Sequence, residues 1–515
     1  MIRSLLVVLI GFALPVIDDS ELVAEFRRYY GKDKSPVQRR EAVLNLSDEN
    51  SLEATQVLLE VFEDEEYLVR RAAIDVVGDY RDEISARWLL DEVLLDRKRS
   101  RNEELVTCTA EALGNMRHTF ALDALVDLLE HRDLGVRLGT LAGLGSLGSS
   151  KAIPAIVALA SDPGTKNAVV IACLNALGQI GDGPGGEPAV LVALNHTSKQ
   201  VRLKGVASVQ ELHLKAGVRP LIMIMGNDTD PRVSEDAYEV LRAITLRKFE
   251  DDMERWLAWW DRNEKSFEMP DLEKVAAALK TIAEEGTRYN AGAKSFENIQ
   301  TKSDNIIFVI DVSNSMSEPF GDPERLKRSG REYKSLQRLA IVKEELINTI
   351  QTLSDTTSFN IVAYATDVDV WKKKAARASI LNRNNAARWV EGLRPRGGAA
   401  ASFRERMGHA SGVSDEGRTN TYLALMTAFG EDVDQRKPNA FVTKITDPVD
   451  TIFFLTDGEP TAGKTVDMVE IREEVARVNA FRGVQIHVIY VGAFGGKDFK
   501  QLADQNGGVF ISIGG

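Results

Sequence analysis

The sequence predicts a two-part protein, an all-α solenoid of stacked helix pairs followed by a doubly wound α/β domain. Three observations predict it. Similar short segments recur every thirty to thirty-seven residues between about Ser20 and Asp261. From about residue 303, apolar strand-like runs alternate with amphipathic helical stretches, the pattern of a parallel sheet covered on both faces. Two of those runs lead straight into oxygen-rich loops, at Asp311 and at Asp457. A chain of 515 residues exceeds one ordinary core, so more than one domain is expected. The boundaries read as 1–17 for an export signal, 18–267 for the helical repeats, 268–302 for a connector and 303–515 for the α/β domain.

At the N-terminus, Arg3 precedes the apolar run Leu5 to Leu14. A basic start and a short apolar stretch read as a secretory signal peptide. Gly11-Phe12-Ala13 offers a small-x-small cleavage site, with Pro15 and Val16 making it imperfect. The run is short for a bilayer span, and no later segment is apolar enough to cross one. The expected location is therefore secreted, periplasmic or cell-surface, with a cytoplasmic protein bearing a buried N-terminal helix as the alternative.

The repeats come next. Val69-Arg70, Val136-Arg137 and Val201-Arg202 correspond, as do Leu113-Gly114, Leu144-Gly145 and Leu177-Gly178. Val69, Val106, Val136, Val170, Val201 and Val233 mark the period. Such a period means helix pairs that bury their apolar faces only against neighbouring pairs. The pattern resembles HEAT-type repeats in their short bacterial form. Asp-x-x-Val-Arg, that family's mark between paired helices, is kept at Asp133 to Arg137, degenerate near Val106 and absent around Pro36 to Leu46. About six repeats are expected. The stretch Gly181 to Gly186 lacks the Lys-Ser/Thr of a phosphate loop and reads as a longer turn breaking one repeat. Trp256, Trp259 and Trp260 read as core closing the last repeat. Leu272 to Glu285 is the helical part of the connector.

This half is acidic. Residues 18–268 hold about 31 Lys+Arg against about 44 Asp+Glu, which accounts for the whole net charge of −13. A nucleic-acid partner is not expected, because phosphate contact needs basic side chains. Cys108 and Cys173 lie in apolar helical runs and read as buried small hydrophobes rather than a disulfide.

In the C-terminal part, Asn305 to Ile310 reads as a strand buried on both faces, and Asp311 follows at its carboxyl end. An insertion, Ser317–Lys334, precedes an amphipathic helix, Ser335 to Leu353. Ser358 to Ala365 is a strand and Arg383 to Leu393 a helix. Two further insertions, Arg394–Glu416 and Glu431–Pro448, flank a helical run from Tyr422 to Phe429. A strand then leads to Asp457, followed by helix Val466 to Phe481, strand Val484 to Val491, helix Asp498 to Gln505 and strand Phe510 to Ile513.

Asp311-Val312-Ser313-Asn314-Ser315 supplies one carboxylate and two hydroxyls at the end of a strand, where open α/β sheets place their ligands. Hard oxygens of this kind suit a hard cation such as Mg²⁺. Thr419 precedes a helix, and Asp457-Gly458 follows another buried strand. Taken in this order, Asp-x-Ser-x-Ser, Thr and Asp-Gly resemble the von Willebrand factor type A domain with its metal-ion-dependent adhesion site, over roughly residues 303–515. Asn314 stands where many members carry Gly, and Asn tolerates left-handed backbone better than most residues.

The resemblance implies a Rossmann-like doubly wound fold. It also implies one Mg²⁺ (alternatively Mn²⁺ or Ca²⁺) held by Asp311, Ser313, Ser315, Thr419 and Asp457. The three hydroxyls would be direct ligands and the two carboxylates would act mostly through water. A cation with few direct anionic ligands then captures an exposed Asp or Glu of a partner protein, which is adhesion rather than catalysis. No enzyme is expected: the six histidines form no metal-protease pair, Ser313 has no Gly-x-Ser-x-Gly elbow, and His409 is a lone loop histidine. The alternatives are an RNA-binding protein with the architecture of the Ro autoantigen, or a repeat-based scaffold whose metal site is unused.

Overall fold

A computed structural model describes residues 20–31, 34–288, 303–320, 333–396, 417–431, 449–491 and 496–513. Residues 1–17, His409 and most of the three insertions lie outside them. The chain divides into two compact units after Gly143, inside the helix Leu134–Leu147, so the later repeats and the α/β domain share one unit.

The first unit is helical throughout its described residues. Helices Leu52–Val61, Tyr67–Asp79 and Glu103–Met116 carry its core, with Val69, Val106 and Val136 all buried. Small residues let these helices approach closely. A Cβ on Gly114 would lie 2.0 Å from the carbonyl oxygen of Gly143, so the two helices cross at backbone contact. Cys108 is buried and free, and burial raises its thiol far above the ordinary range.

Arg39 forms a buried two-pronged pair with Asp64, Nε to Oδ2 and Nη2 to Oδ1 both at 2.9 Å. In the second unit Arg202 and Asp228 make the same fork at 2.7 and 2.9 Å. The first repeat therefore has the inter-helix arginine that its sequence seemed to lack. Arg39 is the fourth residue of helix Pro36–Leu44, as Arg202 is of Lys199–Glu211, but Gln38 stands in the place of Val201, and Val37 is exposed.

In the second unit Val170, Val201 and Val233 are buried on helices Asn167–Ile180, Lys199–Glu211 and Pro231–Thr245. The glycine-rich stretch departs from the expected long turn. Gly181 ends one helix in left-handed backbone (φ +77°), and the next helix already starts at Gly183. The Asp182 side chain caps it by accepting from the Gly185 N–H at 3.1 Å, and Pro184 occupies its first turn. Trp256 and Trp260 are buried, with Trp259 half-buried between Trp256 and Phe267 in edge contacts. The connector helix runs from Leu272 to Arg288.

The α/β domain has seven described strands: β1 Asn305–Asp311, β2 Ser358–Tyr364, β3 Val368–Val370, β4 Ala376–Arg377, β5 Thr451–Thr456, β6 Gln485–Val491 and β7 Phe510–Ile513. They run in the order β3-β2-β1-β5-β6-β7, with β4 also on β2. β2, β1, β5, β6 and β7 are mutually parallel, while β3 and β4 pair antiparallel with β2. The antiparallel pair was not expected, because two or three residues are too few to show alternation. One face of the sheet packs on helices Arg338–Thr352 and Ile380–Gly392, through residues such as Val342, Leu346 and Val390. The other packs on Thr421–Ala428, Met468–Asn479 and Lys497–Gln505, through Leu425, Val475 and Phe499. From β1 the chain first builds outward through β2, then returns to add β5 on the other side. The crevice between the carboxyl ends of β1 and β5 is thus the switch point of the sheet.

Candidate functional site

Each predicted ligand sits at that crevice because of a local device. β1 is buried along its length and delivers Asp311 with no exposure at all. Its Oδ1 accepts from the Ser313 N–H at 2.8 Å, which turns the chain directly after the strand. Asn314 to Ser317 then form a short 3₁₀ turn. Asn314 has no positive φ, so the left-handed backbone anticipated from the Gly-to-Asn departure is not used. The Asn314 N–H donates to the Gly417 carbonyl at 3.0 Å, which brings in the second loop.

Thr419 is held by its backbone. Its N–H donates to Thr461 Oγ1 at 2.9 Å, and its carbonyl accepts from the Thr461 N–H at 2.8 Å. Asn420 caps the helix Thr421–Ala428 by accepting from the Leu423 N–H, and its own N–H donates to the Ala365 carbonyl at 2.9 Å. So the second loop is pinned to the loop after β2 and to the loop after β5. Asp457 follows β5, and its side chain has zero exposure.

A continuous chain links four of the five residues. Ser313 Oγ and Ser315 Oγ lie 3.1 Å apart, and Ser315 Oγ donates to Asp457 Oδ1 at 2.7 Å. Asp311 Oδ2 accepts from Thr456 Oγ1 at 2.9 Å and from the Tyr364 hydroxyl at 3.3 Å. Thr419 joins through backbone contacts with its neighbours rather than through its hydroxyl. Burial, and then the charge of Asp457, push the Asp311 carboxyl up to about 6.

The donor set suits a hard cation. Two buried carboxylates and three hydroxyls are all oxygen, and buried negative charge calls for a positive partner. Among the described residues no group of three or more His, Cys, Asp or Glu side chains could hold a metal ion. One side chain of the site was missed from sequence. Arg338, on the first turn of its helix, donates from Nη1 to Asp457 Oδ2 at 2.8 Å. It lies 119 residues from Asp457, and the signal was faint: a basic residue at a helix start, where acids are usual. His487 lies in β6, stacked on Phe453 with ring centres 5.0 Å apart and away from the site.

Comparisons with known proteins agree with these two parts. A family model for HEAT repeats matches residues 92–172, and one for the von Willebrand factor type A domain matches residues 330–404. HEAT repeats and a von Willebrand factor type A domain are found in this chain. The second match begins after Ser315 and ends before Thr419, so it covers none of the five predicted ligands. Inter-alpha-trypsin inhibitor heavy chain 4 of Mus musculus is 28% identical over 169 residues, which is 33% of this chain. The Homo sapiens heavy chain H4 is 26% identical over the same length. The match spans only 14% of either relative. Among solved structures, a von Willebrand factor type A protein from Catenulispora acidiphila is similar at 18% identity and a TM-score of 0.28, covering 41% of this chain and 38% of that one. The CpcE–CpcF complex of phycocyanin lyase from Nostoc is similar at 21% identity and a TM-score of 0.27, covering 44% and 94%. No helix among the described residues is long and apolar enough to cross a membrane.

Proposed function

We propose that the C-terminal domain binds a partner protein through a divalent cation, Mg²⁺ in the first place, that captures an exposed Asp or Glu of the partner. The observation that carries this reading is the linked set Asp311, Ser313, Ser315 and Asp457 at the switch point between β1 and β5, with Thr419 in the adjoining loop. Ser313, Ser315 and Thr419 would hold the cation, with Asp311 and Asp457 balancing its charge. A cation with mostly neutral ligands keeps an appetite for an external carboxylate. The protein is read as a binding protein and not an enzyme, its helical repeats offering a second surface. Export rests on residues 1–17 alone, and native protein that begins at Met1 would overturn that part.

Calorimetric titration with Mg²⁺ is the direct test. Wild type should take up one ion, and Asp311→Ala none, with the far-ultraviolet spectrum unchanged. Chelator should release the partner from native extract, and added Mg²⁺ should restore it. A partner that stays bound in excess chelator, and binds Asp311→Ala normally, would favour the second reading: the repeats alone are the scaffold. That reading has one observation behind it, the internal neutralisation of Asp457 by Arg338.

A further inference from the structure

Both oxygens of Asp457 are already engaged, Oδ1 by the Ser315 hydroxyl and Oδ2 by the Arg338 guanidinium. Arg338 is itself mostly buried, and its Nε is buried with no hydrogen-bond partner among the described residues. A second acid stands beside it: Glu318 Oε2 lies 3.5 Å from Arg338 Nη2 and is well exposed. The two side chains are held side by side by backbone. The Arg338 N–H donates to the Glu318 carbonyl at 3.0 Å, and Phe320 N–H donates to the Leu336 carbonyl at 2.7 Å. Pro319 and Gln337 form an antiparallel bridge between those two bonds. The guanidinium thus lies within reach of two carboxylates, one inside the site and one at its rim.

We infer that Arg338 is an internal cation that competes with the metal for Asp457, and that Glu318 is the acceptor to which the arginine retires when metal binds. The inference rests on the metal reading of the site and concerns its regulation. The argument is electrostatic. A divalent cation among Ser313, Ser315 and Asp457 would stand close to the guanidinium, and like charges repel strongly where water is scarce. The arginine must therefore give up Asp457 Oδ2, a charge-assisted bond, before the site can fill. Glu318 lowers that cost because it lies next to the guanidinium already. Arg338 thereby sets the metal affinity below what the five ligands alone would give. It also keeps Asp457 neutralised in the metal-free protein.

The test is Mg²⁺ titration of the full chain by calorimetry, with thermal melts with and without Mg²⁺ as a second readout. Arg338→Gln should bind Mg²⁺ roughly tenfold more tightly than wild type. It should also melt lower without metal and gain more from its addition. Arg338→Lys, which keeps the charge, should stay near wild type. Glu318→Gln should weaken Mg²⁺ binding in the wild-type background and have no effect in the Arg338→Gln background, because it acts through the arginine. A merely structural Arg338 would lower the melting temperature without tightening the metal. If wild type binds Mg²⁺ and Arg338→Gln binds it no more tightly, the competition is wrong and the metal reading stands. If neither protein binds Mg²⁺, the metal reading falls and takes the competition with it.

Discussion

The Lys199 ammonium lies 2.5 Å from Asp450 and 2.8 Å from Asp230. Lys199 opens a helix of the repeats, and Asp450 is the residue just before β5. Arg232, from the next repeat, donates to the Asp450 carbonyl at 2.7 Å. Asp450 also closes on β1, accepting from Asn305 Nδ2 at 3.2 Å. So β5 is tied to the repeats at its start and carries Asp457 just past its end. The Asp450 side chain is only 2% exposed, which makes this a buried pair rather than a surface one.

Removing one partner of a buried pair leaves an uncompensated charge, which costs about 3 kcal/mol. Lys199→Ala should therefore shift the urea midpoint strongly downward. Asp450→Asn combined with Lys199→Met should recover part of the loss, since the more buried carboxylate then carries no charge, while Asp230 keeps its bonds from the Arg232 and Val233 N–H groups. A Lys199→Ala loss below about 0.5 kcal/mol would mean that water reaches Asp450 and that the tie is weak.

Little of this tie was legible in the sequence. Val69, Val106, Val136, Val170, Val201 and Val233 told the repeat period because every repeat buries the same position. The strands β1, β5 and β6 told the sheet because continuous apolar runs suit burial on both faces. Asp311, Ser313 and Ser315 were legible because three oxygen-bearing side chains fall within five residues at the end of a buried run. Lys199 and Asp450 lie 251 residues apart, and no periodicity marks either. Arg338 escaped for the same reason, since a lone arginine at a helix start is ordinary until Asp457 is found beside it. Arg39 escaped because Gln38 stands before it where the other repeats carry valine.

Gly114→Ala should destabilise the first unit. The new methyl would meet the Gly143 carbonyl oxygen at 2.0 Å, which is backbone and cannot rotate away. The helices must part, at a cost of about 2 kcal/mol or more. Gly114→Ala should lower the melting temperature while leaving Mg²⁺ uptake unchanged. An unaltered melting temperature would show that the helix contact is loose.

His487 should make the α/β domain sensitive to acid. Its Nδ1 accepts from the Val509 N–H at 3.0 Å, so the ring is held neutral with its proton on Nε2. Burial, helped by the charge of Arg232, pushes its pKa down to about 3. In the unfolded chain the ring takes a proton near pH 6.5. Between those values the unfolded state binds more protons, so stability falls as pH drops from about 6.5 toward 3. His487→Asn keeps an acceptor near the Nδ1 position and should flatten that slope, at some cost in packing on Phe453. Denaturation midpoints from pH 7 to 4 would check it, and equal slopes in both proteins would remove His487 as the cause.

Metal uptake should be linked to protons through Asp311. Burial and the neighbouring Asp457 hold this carboxyl up to about 6 in the metal-free protein, against an ordinary value near 3.9. The folded state therefore binds more protons than the unfolded one between those values. Without metal, this group's contribution to stability falls as pH rises from about 4 to about 6, and the loss persists at neutral pH. A cation beside the two carboxylates reverses the sign of the local field and favours the ionised form. Mg²⁺ should thus bind more tightly at pH 7 than at pH 5, and should stabilise the fold more there. At a hundred times its dissociation constant the ion should add about 2.7 kcal/mol. Below about pH 6, binding should release protons, so the calorimetric heat should depend on the ionisation enthalpy of the buffer. Asp311→Asn has no proton to release and should lose that dependence together with most of the affinity. If wild-type Mg²⁺ affinity is the same at pH 5 and pH 7, Asp311 does not carry the charge that the cation needs.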